Sequence, residues 1–535
     1  MSRTELTPAE ILKEHVTLEV ESIDRMYLNL YVPGLQVDGY AAAFFLKHRG
    51  ETQYLGQQMS RMTQGFREEI DRFADCEDIP VVHFENKQRK DDEFLRRLKS
   101  FRQDEGVVFI GVAQEKAHVM RVGKREKQGG GKTYAWISKS TAMVNHVYFY
   151  AVDADFGPFF IKFCTYFPYP AKLCINGHEY AKRQLTRRGI GFTALDNGFL
   201  TCEEPAKLQK VCDGLSAEKI ERLARKWLRR LPHPFEPRDR RAGYRYELSM
   251  IQTEFSLTQV LDRPVHGRLF FEQVIRENLD IGRPDQVSLI FQRSIRRNSN
   301  ASFRTRVITE GVIPSLHVYY KSVHLKQYFK EGRALRTETT INNNTDVGIR
   351  KKLPNLSALR PIGFSANRRL LDVQRATHDC MIGQTNVEQF TRPAEVNGQR
   401  VPAFRFDDPR VQALFSVLVL FCLQPEGFRS SQIRAHLAPL LGLDPVQLTQ
   451  GQISYHLRRL RLRGLIERIP KSHRYRVTAT GLRIAMIYSR TYARVLRPAL
   501  SLALDQTPRT PAQRAFHQAF SQVDMLIDQA QLAAA

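Results

Sequence analysis

An α/β (mixed α+β) body followed by a smaller, mainly helical C-terminal domain is the architecture expected of this chain, on three grounds. Strand-like and helix-like stretches alternate near the N-terminus, with Val16–Val20, Met26–Val32, Val81–Phe84 and Val107–Val112 around Gly39–Lys47 and Asp91–Phe101. Residues 287–345 read as successive strands: Val287–Phe291, Phe303–Thr309, Ser315–Tyr320, His324–Phe329 and Leu335–Ile341. After Asp408 the pattern changes to capped helical stretches with turn residues between them.

The elements follow in order. Thr7-Pro8-Ala9-Glu10 starts a helix, with Thr7 as cap and Pro8 at the first helical position. Lys124–Thr133 is charged and glycine-rich and reads as an exposed loop, and Tyr134–Ser138, His146–Val152 and Phe159–Phe163 follow as strands. Ser216 to Leu231 is an amphipathic helix, with Ile220, Leu223, Trp227 and Leu231 on one stripe and Lys219, Arg222, Arg225, Lys226, Arg229 and Arg230 opposite. Pro232, Pro234 and Pro237 then mark a boundary. The expected segments are 1–125 (α/β), 126–235 (α+β with the basic helix), 236–375 (mostly β), 376–408 (connector), 409–500 and the tail helix 501–535. No internal repeat is visible.

Segment 409–500 is the most specific. Pro409–Leu423 is an apolar helix. A second helix, capped by Ser430 or Ser431, ends at Gly442, and a third, capped by Thr449, carries Ile453, Leu457 and Leu460 on its apolar side. Its other face is expected to show Gln452, Tyr455, Arg458 and Arg459. Leu465–Pro470 and Arg474–Thr478 are short strands around Lys471-Ser472-His473, and Thr480–Leu496 closes the segment. That order is a winged helix-turn-helix, whose third helix enters the DNA major groove. Gln452, Tyr455, Arg458, Arg459, Lys471 and Arg474 are the candidate DNA contacts. Winged helices also serve as protein–protein spacers, and that reading stays open.

Charge supports a nucleic-acid partner. The 535 residues include 81 Lys plus Arg against 56 Asp plus Glu, a net charge of +25. So basic a chain repels itself and favours a polyanion. An anionic membrane is the rival, but the longest nearly apolar run, Val411 to Leu423, is too short to span a bilayer. The start Met1-Ser2-Arg3-Thr4 has no apolar signal region, and the 7 cysteines form no C-x-x-C pair. A cytoplasmic, nucleoid-associated, DNA-binding protein without a membrane partner is expected. Phe516, Phe520, Val523 and Ile527 stripe the tail helix, which either packs on its own chain or forms a homodimer.

Two segments carry candidate chemistry. Asp153 and Asp155 at a strand end, with His178 and Glu179 nearby in sequence, are a candidate ligand set for Mg²⁺, Mn²⁺ or Zn²⁺, with Mg²⁺ or Mn²⁺ preferred and Lys162 as a neighbouring cation. No cofactor is certain. The bland alternative is a tight turn at Asp155-Phe156-Gly157-Pro158 and a helix start at Asn176-Gly177. The second segment, Lys326–Lys330 leading to Leu335–Thr340, reads as a hairpin with Arg336 and Glu338 on one strand face. Catalysis of phosphodiester transfer would rest on Asp155, Glu338, Lys330 and Arg336. Otherwise Glu338 simply pairs with Arg336.

The pattern Tyr328-x-Lys330 then Arg336-x-Glu338 resembles the catalytic hairpin of plasmid and phage rolling-circle replication initiators. The resemblance implies a nuclease of a mobile element, although His146-Val147-Tyr148 and His317-Val318-Tyr319 both lack the second His of that family's metal motif. Over nearly its whole length the chain also resembles a group of uncharacterised bacterial proteins, in Asp155-Phe156-Gly157-Pro158, Asn176-Gly177-His178-Glu179, Arg333–Asn342 and Leu465–Pro470. Three function classes therefore stand: a DNA-binding protein, a metal-dependent nuclease or strand-transfer enzyme, and an RNA-binding protein. The last is suggested by Tyr166-Phe167-Pro168-Tyr169 and Tyr244-Arg245-Tyr246, whose rings suit base stacking.

Overall fold

The structure is a computed structural model. It describes residues 6, 8–50, 55–85, 88–126, 133–278, 304–310, 313–376, 390–396, 398–406, 408–421, 427–470, 472–491, 518 and 522. Val287–Phe291, Lys471 and the Phe516, Phe520, Val523, Ile527 stripe lie outside the described residues.

The chain divides into two compact units, residues 11–272 with 284–368, and residues 1–10, 273–283 and 369–535. The first unit is built on an 11-stranded sheet. In chain order its strands are β1 (Val16–Tyr31), β2 (Val81–His83), β3 (Gly106–Glu126), β4 (Thr133–Asp153), β5 (Gly157–Cys164) and β6 (Ala171–Asn176). A separate small hairpin, β7 (Phe192–Leu195) and β8 (Gly198–Cys202), precedes β9 (Glu247–Leu261), β10 (Arg304–Glu310), β11 (Ile313–Tyr320), β12 (Val323–Lys330) and β13 (Ala334–Ile341).

The two expected strands at Val16–Val20 and Met26–Val32 are one strand. A register shift between Ile23 and Met26 lets it continue along β9. Likewise the stretches around residues 134–138 and 146–152 are parts of β4, which pairs with β3 along nearly its full length.

The sheet order is β10-β11-β12-β13-β9-β1-β6-β5-β4-β3-β2, antiparallel except for β2 against β3. Its halves share a topology. From β1 the chain leaves through helices, returns as β3-β4-β5-β6, and β6 closes beside β1. From β9 it leaves through helix Pro264–Asn278, returns as β10-β11-β12-β13, and β13 closes beside β9. The seam between the halves is the antiparallel pair β1/β9. This repetition lies in the backbone pairing and has no counterpart in the side-chain sequence.

One hydrophobic core draws residues from Leu18 to Phe364, so the boundaries expected near 125 and 235 do not separate independent cores. Leu231 and Phe235, beside the prolines, are part of that core. Helix Leu55–Cys76 buries Met59, Phe66 and Ile70 in it. Helix Ala217–Arg230 buries Ile220, Leu223 and Trp227 as its periodicity predicts, with Ser216 capping the start. The Trp227 ring packs edge-on to Phe159 at 5.0 Å. Helix Leu356–Ala376 approaches β9 closely at Gly363, where a Cβ would fall 2.1 Å from the Phe255 ring. Helix Lys90–Leu98 covers a second, smaller cluster containing Phe109, Tyr148 and Tyr150.

The second unit contains a short hairpin, β14 (Ala394–Val396) and β15 (Gln399–Val401), inside the expected connector. Helices Pro409–Phe421, Ser430–Leu440 and Gln450–Leu462 follow, then β16 (Ile466–Arg468), β17 (Tyr475–Val477) and helix Ala479–Thr491. Phe428 bridges Tyr475 and extends the β16/β17 pair. Among the described residues, no helix is long and apolar enough to cross a membrane.

Candidate functional site

The sheet seam carries a buried charge network. Asp24 lies at the β1 irregularity, Ser256 on β9, Arg336 and Glu338 on β13, and Tyr328 on β12 opposite Arg336. Arg336 is fully buried, and all its nitrogens have partners. Its Nη2 donates to Asp24 Oδ2 at 2.5 Å and to His178 Nε2 at 2.8 Å. Its Nε donates to Glu338 Oε1 at 3.0 Å, and Nη1 donates to the Asn197 carbonyl. The Tyr328 hydroxyl donates to the same Glu338 oxygen at 2.9 Å.

Burial opposes the Asp24 carboxylate, but Arg336, then His178 and Asn197, outweigh it and hold its pKa well below the usual carboxylate range. Burial is the largest influence on Glu338, whose pKa rises. Burial and the Arg336 charge push the His178 pKa down to about 3. His178 is therefore neutral, and Nε2 accepts from Arg336 while the buried Nδ1 has no partner. Beside the network, burial raises the Glu254 carboxyl to about 7, with Asp24 adding to the rise.

The network corrects several expectations. Arg336 is not available to clamp a phosphate, because its donors are spent inside the protein. Lys330 is not Glu338's cation. The β12/β13 register sets Lys330 opposite Ala334 and Lys326 opposite Glu338. Lys330 lies instead 3.6 Å from Glu331. The predicted hairpin itself is present.

The proposed metal set does not assemble. The Asp155 turn and the helix Gly177–Arg187 are neighbours, since a Cβ on Gly157 would meet Glu179 and Gln184 donates to the Asp155 carbonyl, but Asp153, Asp155, His178 and Glu179 each take a different partner. Asp153 Oδ1 accepts from the Asp155 and Phe156 amides, and Oδ2 accepts from Trp227 Nε1 and Lys226 Nζ, each at 2.8 Å. Asp155 pairs with Arg187, and Glu179 with Lys182 at 2.7 Å. His178 points into the seam, and Asn176 caps the helix start. Lys162 pairs with Glu115, not Asp155. The turn and helix-start reading of these segments is the observed one. A cleft of about 490 Å³ between the turn and the basic helix is lined by Asp153, Asp155, Lys219, Arg222, Lys226 and Arg229.

The second unit turns charge outward. Thr449 caps helix Gln450–Leu462, accepting from the Gln452 amide, while Gln452 Oε1 accepts from the Thr449 amide at 2.9 Å. Ile453, Leu457 and Leu460 are buried as expected. Gln452, Tyr455, Arg458 and Arg461 are exposed. Arg458 donates to Gln399 at 2.8 Å.

Arg459 departs from the expectation. It is 8% exposed, lies over the Phe404 ring at 4.1 Å and donates to the carbonyls of Pro402 and Ala403. Arg463 is also buried, donating to the carbonyls of Arg392 and Val401. Segment 390–406 covers this flank, and no periodicity within the helix reveals that cover. Arg468 on β16 and Arg476 on β17 are exposed, and Arg474, just before β17, is half-buried.

Asp24, Ser256 and Glu254 were missed by sequence reasoning, because each sits singly in a strand without a local motif. Asp24 fell between the two strands expected from sequence, and the available signal was its place in the alternation Leu18, Val20, Ser22, Asp24, Met26, which is buried throughout. No family model matches the chain, and comparisons with curated proteins and with solved structures find no match.

Proposed function

We propose that this protein binds duplex DNA through the exposed face of helix Gln450–Leu462 and the β16/β17 hairpin, acting as a winged helix-turn-helix. The observation that carries this reading is the division of one helix into an anchored apolar side, Ile453, Leu457 and Leu460, and an outward side bearing Gln452, Tyr455, Arg458 and Arg461. A helix of this width fits the major groove, and Arg and Gln match base-edge acceptors and donors there. Arg468 and Arg476 are exposed on the hairpin and on this reading supply the phosphate contacts of the wing. Between residues 409 and 500 there are 15 Arg or Lys against 3 Asp or Glu, so phosphate attraction faces little internal competition. Arg458's bond to the Gln399 side chain is solvent-exposed and readily exchanged for a phosphate.

The nuclease reading lacks comparable support, since the carboxylates it requires are bonded to Lys226, Trp227, Arg187 and Arg336.

The test is binding of the full chain to labelled duplex across a salt series, with RNA and single-stranded DNA as competitors. Affinity should fall steeply with salt, and Arg458→Ala with Arg461→Ala should flatten the log–log slope by roughly 2. A folded double variant that binds like the parent overturns the assignment of this face. RNA displacing duplex at lower concentration overturns the choice of DNA.

A further inference from the structure

We propose that His15, Asp262 and His266 form a binding site for a first-row transition-metal dication of the Zn²⁺ class. The site belongs to the sheet unit and does not depend on the DNA-binding reading.

The backbone builds it. β1 and β9 pair up to Val16 and Leu261, and one residue further the Asp262 amide donates to the His15 carbonyl at 2.9 Å. Strand register thus sets His15 and Asp262 side by side at the end of the seam. Pro264 then starts helix Pro264–Asn278, whose first turn returns His266 over Asp262. The two imidazoles address the two carboxylate oxygens separately. His15 Nδ1 is 2.9 Å from Oδ2, and His266 Nδ1 is 2.6 Å from Oδ1. The rings lie 3.7 Å apart, tilted by 32°.

Among the described residues this is the one group of three His, Cys, Asp or Glu whose ligand atoms all lie within 4.8 Å of one another. Two imidazole nitrogens and a carboxylate oxygen are ligands that suit Zn²⁺, Co²⁺ or Ni²⁺, whereas Mg²⁺ and Ca²⁺ take oxygen shells. The side chains of His15, Asp262 and His266 are 22%, 35% and 12% exposed, which leaves access for the ion and for water to complete its shell. Without metal, each Nδ1–H donates to Asp262. On binding, each Nδ1 loses that proton and holds the ion through its lone pair, with Nε2 carrying the proton that stays on the ring. The ion ties together the start of β1, the end of β9 and the helix that follows.

The experiment uses the full-length chain stripped with a chelator, titrated with ZnCl₂ by calorimetry and with CoCl₂ by visible absorption. One saturable equivalent should bind, raise the Tm and produce a Co²⁺ d–d band. Excess Mg²⁺ should displace neither ion. Loss of a partner that merely orients a ligand weakens metal binding by roughly 10–100-fold, so His15→Ala, His266→Ala and Asp262→Asn should each weaken Zn²⁺ by at least about tenfold. His83→Ala, at an exposed position, should change nothing. Circular dichroism checks that each variant is folded, and Asp262→Asn preserves side-chain volume if a histidine variant fails to fold. The parent chain also decides by itself. Absence of saturable Zn²⁺ binding and of the Co²⁺ band overturns the site and leaves a His–Asp–His hydrogen-bond chain. Equal affinity in a folded His15→Ala, His266→Ala double variant places the metal elsewhere, and displacement by Mg²⁺ overturns the metal class.

Discussion

Arg336 on β13 and Arg458 on helix Gln450–Leu462 both sit on regular elements beside other polar groups, yet the first is fully buried and the second exposed. In the sheet unit, arginine neutralises charge that the fold has placed inside, with Asp24 and Glu338 on one guanidinium. In the C-terminal unit, exposed arginines have few acidic neighbours to neutralise. Net positive charge therefore says little about where a polyanion binds. What distinguishes the regions is whether each cation's hydrogen-bond capacity is already spent.

The largest expected effect tests the inward half of this contrast. Arg336→Met removes the guanidinium bonded to both Asp24 and Glu338 in a buried site. Breaking a buried pair in this way costs about 3–5 kcal/mol. Urea unfolding should show that loss, and a change below about 1 kcal/mol would mean the network is looser than its geometry. Replacing Arg336, Asp24 and Glu338 together by apolar residues should recover much of it.

Leu457→Ala should cost about 2–5 kcal/mol as a core truncation of the C-terminal unit. Its neighbour one residue on, Arg458→Ala, should stay within about 0.5 kcal/mol. Equal losses at both positions, read by thermal melting, would overturn the observed helix phase.

A pH series separates the network's acids. Asp24 has a folded pKa below its unfolded value, so its contribution is present above the unfolded carboxylate pKa and fades as pH falls through the folded one. Glu254 runs the other way. Its ordinary value of 4.5 rises to about 7, so wild-type stability should decline between those pH values by at most on the order of 3 kcal/mol and level off above. Glu254→Gln should remove that decline and be the more stable protein at pH 8. A wild-type curve flat between pH 4.5 and 7 would place Glu254 in water.

The smallest effects lie on the two adjacent arginines of the exposed helix. Arg459→Ala strands two backbone carbonyls and uncovers Phe404, for a loss of about 1–3 kcal/mol. Arg458→Ala should leave stability nearly unchanged and weaken duplex binding. If Arg459→Ala were stability-neutral and Arg458→Ala destabilising, the assignment of their roles would reverse.

Local order was legible in the sequence where one element's own periodicity fixes its buried side. Ser216–Leu231, with Ile220, Leu223 and Trp227, and the stripe Ile453, Leu457, Leu460 are such cases, as are the cap at Thr449 and the hairpin before Arg336. These follow from side-chain spacing and from backbone donors that need caps, both of which act within a few residues. The tertiary structure alone decided which partner each charged group takes. Asp153 turns to Trp227 and Lys226 instead of to an ion with Asp155, and Arg459 turns to Pro402 and Ala403 instead of to solvent. His15 meets Asp262 and His266 from across the seam. The physical reason is range. Strand register and the cover supplied by distant segments such as 390–406 set burial and ligand geometry, and neither leaves a mark on the neighbouring residues of the chain.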